Sequence, residues 1–174
     1  MMKRFSLLIV LIMGVGALMI PAGLYAGTEV PDVIKLENKA YKKHKKGIVL
    51  FNHKKHQEDY AKKEPDLYKT GCGECHHDEN NKPLSGLKVG DPVKGCIECH
   101  KEPGEMPAKV KKAMRRKKLS RKEQKSKKLV YHAEALHYNC KDCHRKYNKK
   151  HKLRSKDKGY APNTCASCHP KKKK

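Results

Sequence analysis

Apolar residues crowd one end of this chain and thin out along the rest. "FSLLIVLIMGVGALMI", from Phe5 to Ile20, carries no charge. Lys3 and Arg4 precede it, and "PAGLYAG" follows, with small residues around a cut after Ala26. That order predicts a secretory signal peptide over residues 1–26 and a single mature domain over residues 27–174. The run is slightly short for a membrane span. An uncleaved anchor is the alternative, because Leu24 is not the best residue three positions before the cut. Either way the remainder is exported.

Beyond the leader the apolar runs are short. Val33 to Leu36 and Ile48 to Phe51 flank a polar, turn-like stretch and predict a small β-hairpin. His53 and His56 follow it, three apart, on one side of a helical turn. "SGLKVGDPVKG", Ser85 to Gly95, reads as a loop. Val110, Ala113 and Met114 form a weak helical stripe in a basic segment, residues 109–128. "VYHAEALHYN" predicts a short helix. "RKYNKKHKLRSKDKGYAPN" predicts a polar loop that ends at Pro162. "PKKKK", residues 170–174, is a basic tail. The pattern implies a mostly irregular and α-helical chain with little regular secondary structure.

Composition sharpens the problem. The chain has 174 residues and a formal net charge of +24, with no Trp and two Phe. Loss of Lys3 and Arg4 with the leader lowers that charge to +22. Such a composition resembles a disordered chain more than a globular one. Its own apolar side chains are too few to build a core, so something else must supply one.

The cysteines indicate what. All eight fall into four CxxC pairs, each followed by histidine: "CGECH", "CIECH", "CKDCH" and "CASCH". CxxCH is the attachment motif of c-type haem. Each thiol adds to one haem vinyl group, and the next residue then lies beneath the iron, where imidazole nitrogen can bind it. Cys72, Cys75, Cys96, Cys99, Cys140, Cys143, Cys165 and Cys168 are therefore thioether candidates for four haems. His76, His100, His144 and His169 are the proximal iron ligands. Zinc could use paired CxxC motifs but needs no histidine after each. Disulfides suit an oxidising compartment, yet CxxC is a redox-active spacing more than a structural one. Four haems would also replace the missing core, so the apo-protein is expected to be largely unfolded.

Seven histidines remain: His44, His53, His56, His77, His132, His137 and His151. Histidine in the sixth position of an iron makes an electron carrier, whereas an open position admits a substrate. "VLFNHKKH" followed by "CGECHH" resembles the class III cytochromes c, the tetrahaem cytochrome c₃ group. The resemblance spans Val33 to His169 and implies a fold packed around four haems. By that resemblance His53 is the distal ligand opposite His76, His77 opposite His100, and His56 opposite His144. The partner of His169 comes from just upstream of the third motif. There His137 is favoured and His132 is the alternative, expected at the surface or a haem edge. His44 and His151 read as solvated positions in basic loops. Two features depart from the best-known members. All four motifs here are CxxCH, whereas some members use CxxxxCH at two sites, and the segment between His100 and His132 is long and very basic.

The resemblance implies a periplasmic, low-potential electron carrier in the anaerobic respiration of sulfate- or metal-reducing bacteria, and not an enzyme. Its expected partners are acidic redox proteins: periplasmic hydrogenase, formate dehydrogenase or a membrane-bound multihaem cytochrome. The basic surface suits fast electrostatic encounter with acidic partners. Weak association with anionic lipid is compatible with that role, and export argues against nucleic acid. The alternatives are a small multihaem reductase with one open iron, and a subunit of a conducting filament.

Overall fold

The computed structural model describes residues 29–171; the expected signal peptide lies outside them. No helix among the described residues is long and apolar enough to cross a membrane. Among the described residues the architecture is two short strands, six α-helices and long irregular connections, as the sequence implies.

Strands β1 (Val33–Lys35) and β2 (Leu50–Asn52) pair antiparallel, with Ile34 opposite Phe51. The second arm starts two residues later than the apolar run suggests. Asn52 thereby ends the sheet and begins the next element. Its side-chain oxygen accepts the Lys55 amide at 2.9 Å, as a helix cap does. A π-helical stretch, Lys55–Tyr60, runs directly into α1 (Ala61–Lys63). Pro65 stops it, because the residue before proline is pushed out of the helical region, and Glu64 sits at φ −129°, ψ 55°.

A 3₁₀ turn, Gly71–Glu74, and the helices α2 (Cys96–Cys99) and α6 (Cys165–Cys168) are single turns laid over CxxC motifs. Between α2 and the third motif come α3 (Ala108–Arg116) and α4 (Arg121–Leu129). The latter is opened by a capping box: the Ser120 hydroxyl accepts the Glu123 amide, and the Glu123 carboxylate accepts the Ser120 amide at 2.8 Å.

Helix α5 (His132–Lys150) corrects the expected short helix and following loop. It runs nineteen residues, straight through the third CxxCH. The sequence offers no Gly or Pro to stop it, and both sides of its last turn are tied down. Asn148, 5% exposed, exchanges two 2.8 Å hydrogen bonds with the Ala161 backbone. Lys150 donates to Glu64 at 2.7 Å and to Asp66 at 2.6 Å, and His151 donates to Glu64 at 2.7 Å. His151 is thus exposed but bonded, not simply solvated. Lys150, and then His151, hold the Glu64 carboxyl below the usual carboxylate range.

Side chains make almost no core. Met106, Met114 and Ala135 are the buried apolar residues, and among the described residues no side chain is less than 2% exposed. Leu50 and Val89 stand 62% and 66% exposed. A domain of this length normally buries a contiguous apolar cluster; none forms among the described residues, and four of the eight cysteines stand exposed.

Candidate functional site

Each CxxCH adopts the same local geometry for the same reason. Residues i, i+3 and i+4 of a helical turn share one face, so two thiols and an imidazole emerge together. The histidine amide closes three of the turns by donating to the first cysteine's carbonyl at 2.9 Å: His76 to Cys72, His100 to Cys96 and His169 to Cys165. The third motif lies inside α5 and needs no turn of its own.

Each of these histidines faces a second one. Ring centroids lie 6.4 Å apart for His53 and His76, 5.9 Å for His77 and His100, 6.2 Å for His56 and His144, and 6.2 Å for His137 and His169. No histidine is shared between pairs, and each pair joins one motif to a residue outside it. Two imidazoles on opposite sides of one metal should stand about 6 Å apart, given metal–nitrogen bonds of about 2 Å. The spacing and donor set fit a haem iron held between two imidazoles, with two thiols alongside.

Five of the eight imidazoles are also turned the right way. His56 Nδ1 donates to the Asn52 carbonyl at 2.8 Å, His77 to Asp78 at 2.7 Å and His169 to Gly47 at 2.8 Å. His100 Nδ1 bonds the Leu129 carbonyl, and His144 Nδ1 bonds the Pro162 carbonyl. A proton held on Nδ1 leaves the Nε2 lone pair for a metal, the usual outer-sphere arrangement of metal-binding histidine. Burial lowers the His56, His76 and His137 pKa values, which keeps those rings neutral. None of the five carbonyl partners could be read from sequence, because any residue type supplies one.

His76 and His77 are neighbours in the chain yet serve different pairs. His76 closes its turn, and the chain then extends: His77 bridges Pro83, and the Leu84 amide donates to the His76 carbonyl at 2.9 Å. Successive residues of extended chain point to opposite sides. Gly73 makes the return possible, since a Cβ there would lie 3.1 Å from the Leu84 backbone.

His132 and His137 are separated clearly. His137 faces His169, and its Nδ1 stands 3.7 Å from a Glu105 carboxylate oxygen. His132 is buried at 8% exposure, not on the surface, and its Nδ1 lies 2.8 Å from the Tyr41 hydroxyl. His44 stacks on Tyr41 with ring centroids 5.1 Å apart, so it too is more than a solvated loop residue.

No disulfide joins any of the eight cysteines. Desolvation by surrounding chain pushes Cys140 up to about 11 and Cys75 up to about 12, and the other thiols of the cluster add to this. Cys75 keeps an exposed surface, so its shift reflects the crowding of chain on its other side. Among the described residues, no three His, Cys, Asp or Glu side chains converge on one point as a zinc site requires.

Gly47 gives a direct test of the fourth pair. A Cβ there would lie 2.1 Å from the Pro170 carbonyl oxygen. Gly47→Ala should therefore push the 47–170 contact apart and break the Gly47–His169 bond. If each His–His pair holds one haem, the expected result is a perturbed spectrum from the haem at His137 and His169, with little change at the other pairs. Resolved haem methyl signals in NMR would report it.

The model of the class III cytochrome c family matches residues 31–169. Searches of curated proteins and of solved structures returned no match.

Proposed function

Since the chain belongs to the class III cytochrome c family, multihaem electron carriers with covalently bound haem c, we propose that it is a periplasmic, low-potential carrier with four bis-histidine haems. The observation that carries this reading is the set of four His–His pairs, each 5.9–6.4 Å between ring centroids and each containing one CxxCH histidine.

A bound haem c supplies a reversible one-electron iron couple. The chain supplies everything around it. Each cysteine pair anchors one group covalently, which fixes its place in a protein with almost no side-chain core. His76, His100, His144 and His169 bind one face, and His53, His77, His56 and His137 the other. The carbonyls of Asn52, Gly47, Asp78, Leu129 and Pro162 fix ring orientation and raise imidazole basicity. Two imidazoles and no methionine favour the oxidised iron and a low potential. A haem held by both histidines of a pair would leave no open position for a substrate, which favours a carrier over a reductase.

The strongly basic surface, +24 over the whole chain, favours acidic partners such as a periplasmic hydrogenase, formate dehydrogenase or membrane-bound multihaem cytochrome. Anionic lipid is a weaker second attraction. The apolar leader that the sequence predicts up to Ala26 supports an exported location.

Carbon monoxide tests the reading. The fully reduced protein should take up none at neutral pH, because every iron is six-coordinate. Uptake of one equivalent would instead indicate the open iron of a small reductase.

A further inference from the structure

The basic segment between the second and third motifs is a closed lobe, not a loose insertion. Its ends are stitched together: the Glu102 amide donates to the Val130 carbonyl at 3.1 Å, His132 to Glu102 at 2.8 Å and Ala133 to Gly104 at 3.0 Å. Helices α3 and α4 lie between these stitches. Two of the three buried apolar residues, Met106 and Met114, belong to the lobe, and the third, Ala135, is on α5. Lys111 pairs with Glu134 of α5 at 2.6 Å. Lys125 donates to the Tyr138 hydroxyl at 2.6 Å and lies 4.0 Å from that ring's centroid. The lobe is thus tied to α5 by two polar contacts.

Its outer surface is charged almost without compensation. Residues 109–128 hold twelve Lys or Arg and one acid, Glu123. That carboxylate is occupied at the cap of α4. Lys112, Arg115, Arg116, Lys118, Lys122 and Lys127 are exposed. Like charges this dense repel one another, and little inside the lobe offsets them. The apolar side of α3 is turned inward at Met114, and Val110 is the sole exposed large apolar residue of the two helices. An amphipathic helix that enters a bilayer needs an exposed apolar face. The lobe lacks one, which favours a protein partner over a lipid surface.

Position adds the second observation. The last residue of α4, Leu129, places its carbonyl on His100 Nδ1. The lobe therefore ends at the proximal histidine of the second pair.

We propose that the α3–α4 lobe is the docking surface for an acidic redox protein and delivers that partner to the His77–His100 site. This rests on the reading of the chain as an electron carrier. A haem held between His77 and His100 would take the one electron that the partner gives up, with no bond made or broken. The charges set the encounter rate, and the Leu129 contact sets which site the partner meets.

The test uses the full haem-loaded protein and a flavodoxin as the acidic probe. One variant carries Lys112→Gln, Arg115→Gln, Arg116→Gln and Lys122→Gln. A control carries Lys43→Gln, Lys46→Gln, Lys156→Gln and Lys158→Gln, exposed positions elsewhere with the same loss of charge. Two readouts are taken at low salt: amide shifts at Leu129 and Val130 on adding oxidised flavodoxin, and the rate of reduction by reduced flavodoxin. The lobe variant should lose the shifts and slow about tenfold, with a flatter salt dependence, while the control changes far less. Equal losses in both variants would overturn the proposal by making charge, not the lobe, the cause. So would a lobe variant that keeps its rate with flavodoxin but no longer binds phosphatidylglycerol vesicles, which would assign the lobe to lipid. Failure of the carrier reading looks different: the wild-type irons would not take up electrons reversibly at an electrode.

Discussion

Replacing His77 by alanine should convert one haem of four to an open, five-coordinate iron. The reduced variant should bind one equivalent of carbon monoxide, where the parent binds none, and a high-spin signal should appear. The reason is geometric. His77 faces His100 at 5.9 Å, and no other histidine forms a ring pair with His100 among the described residues. The Asp78 carbonyl holds its Nδ1, so its Nε2 is committed to that side. Loss of a strong donor also raises the potential of that site, and a redox titration should show one couple moved upward. The same logic separates the two histidines ahead of the third motif. His137→Ala should also open one iron, because His137 faces His169. His132→Ala should open none, because its ring is engaged by Tyr41 at 2.8 Å. Carbon monoxide uptake by the His132 variant would reverse that assignment.

A second substitution should do more damage. Cys140→Ser combined with Cys143→Ser removes both anchors of the third haem. In a protein with a large apolar core such a change would be local. Here the buried apolar side chains are Met106, Met114 and Ala135, so the haem-binding clusters must act as the core. Helix α5 carries both cysteines and His144, and the His56 helical stretch meets it at that pair and again at Glu64, which Lys150 and His151 hold. The expected cost is about 5 kcal/mol or more, at the upper end of single-site losses. Small domains have only about 5–15 kcal/mol to lose. The variant should melt far below the parent and lose much of its helical circular dichroism at ambient temperature. A melting temperature within a few degrees of the parent would mean that side chains, not haems, hold the fold.

Much of the site could be read from the sequence because its chemistry is local. CxxCH is one helical turn, and its spacing alone puts two thiols and an imidazole on one face. The hairpin could be read from two apolar runs. Its register was less visible, because Asn52 serves both the strand and the helical stretch after it. The length of α5 escaped for a related reason. "KYNKK" looks like loop by composition, and the contacts that keep it helical come from Glu64, Asp66 and Ala161, far away in the chain. Of the two places expected for His132, the surface is excluded by its burial, and that burial left no local signal because its partner, Tyr41, is ninety-one residues distant. The carbonyls behind the imidazoles left no signal at all. Gly47 came nearest to one, since a glycine in a lysine-rich stretch is a plausible point of close approach.

The central claim is that four haems are attached through eight thioether bonds. The intact mass of the exported protein, measured after denaturation, tests it most directly. Thioether-bound haem survives denaturation, whereas zinc and loosely held haem do not. The account predicts the mass of Gly27 to Lys174 plus four haems. A mass equal to the polypeptide alone would contradict it and return the four CxxC pairs to zinc.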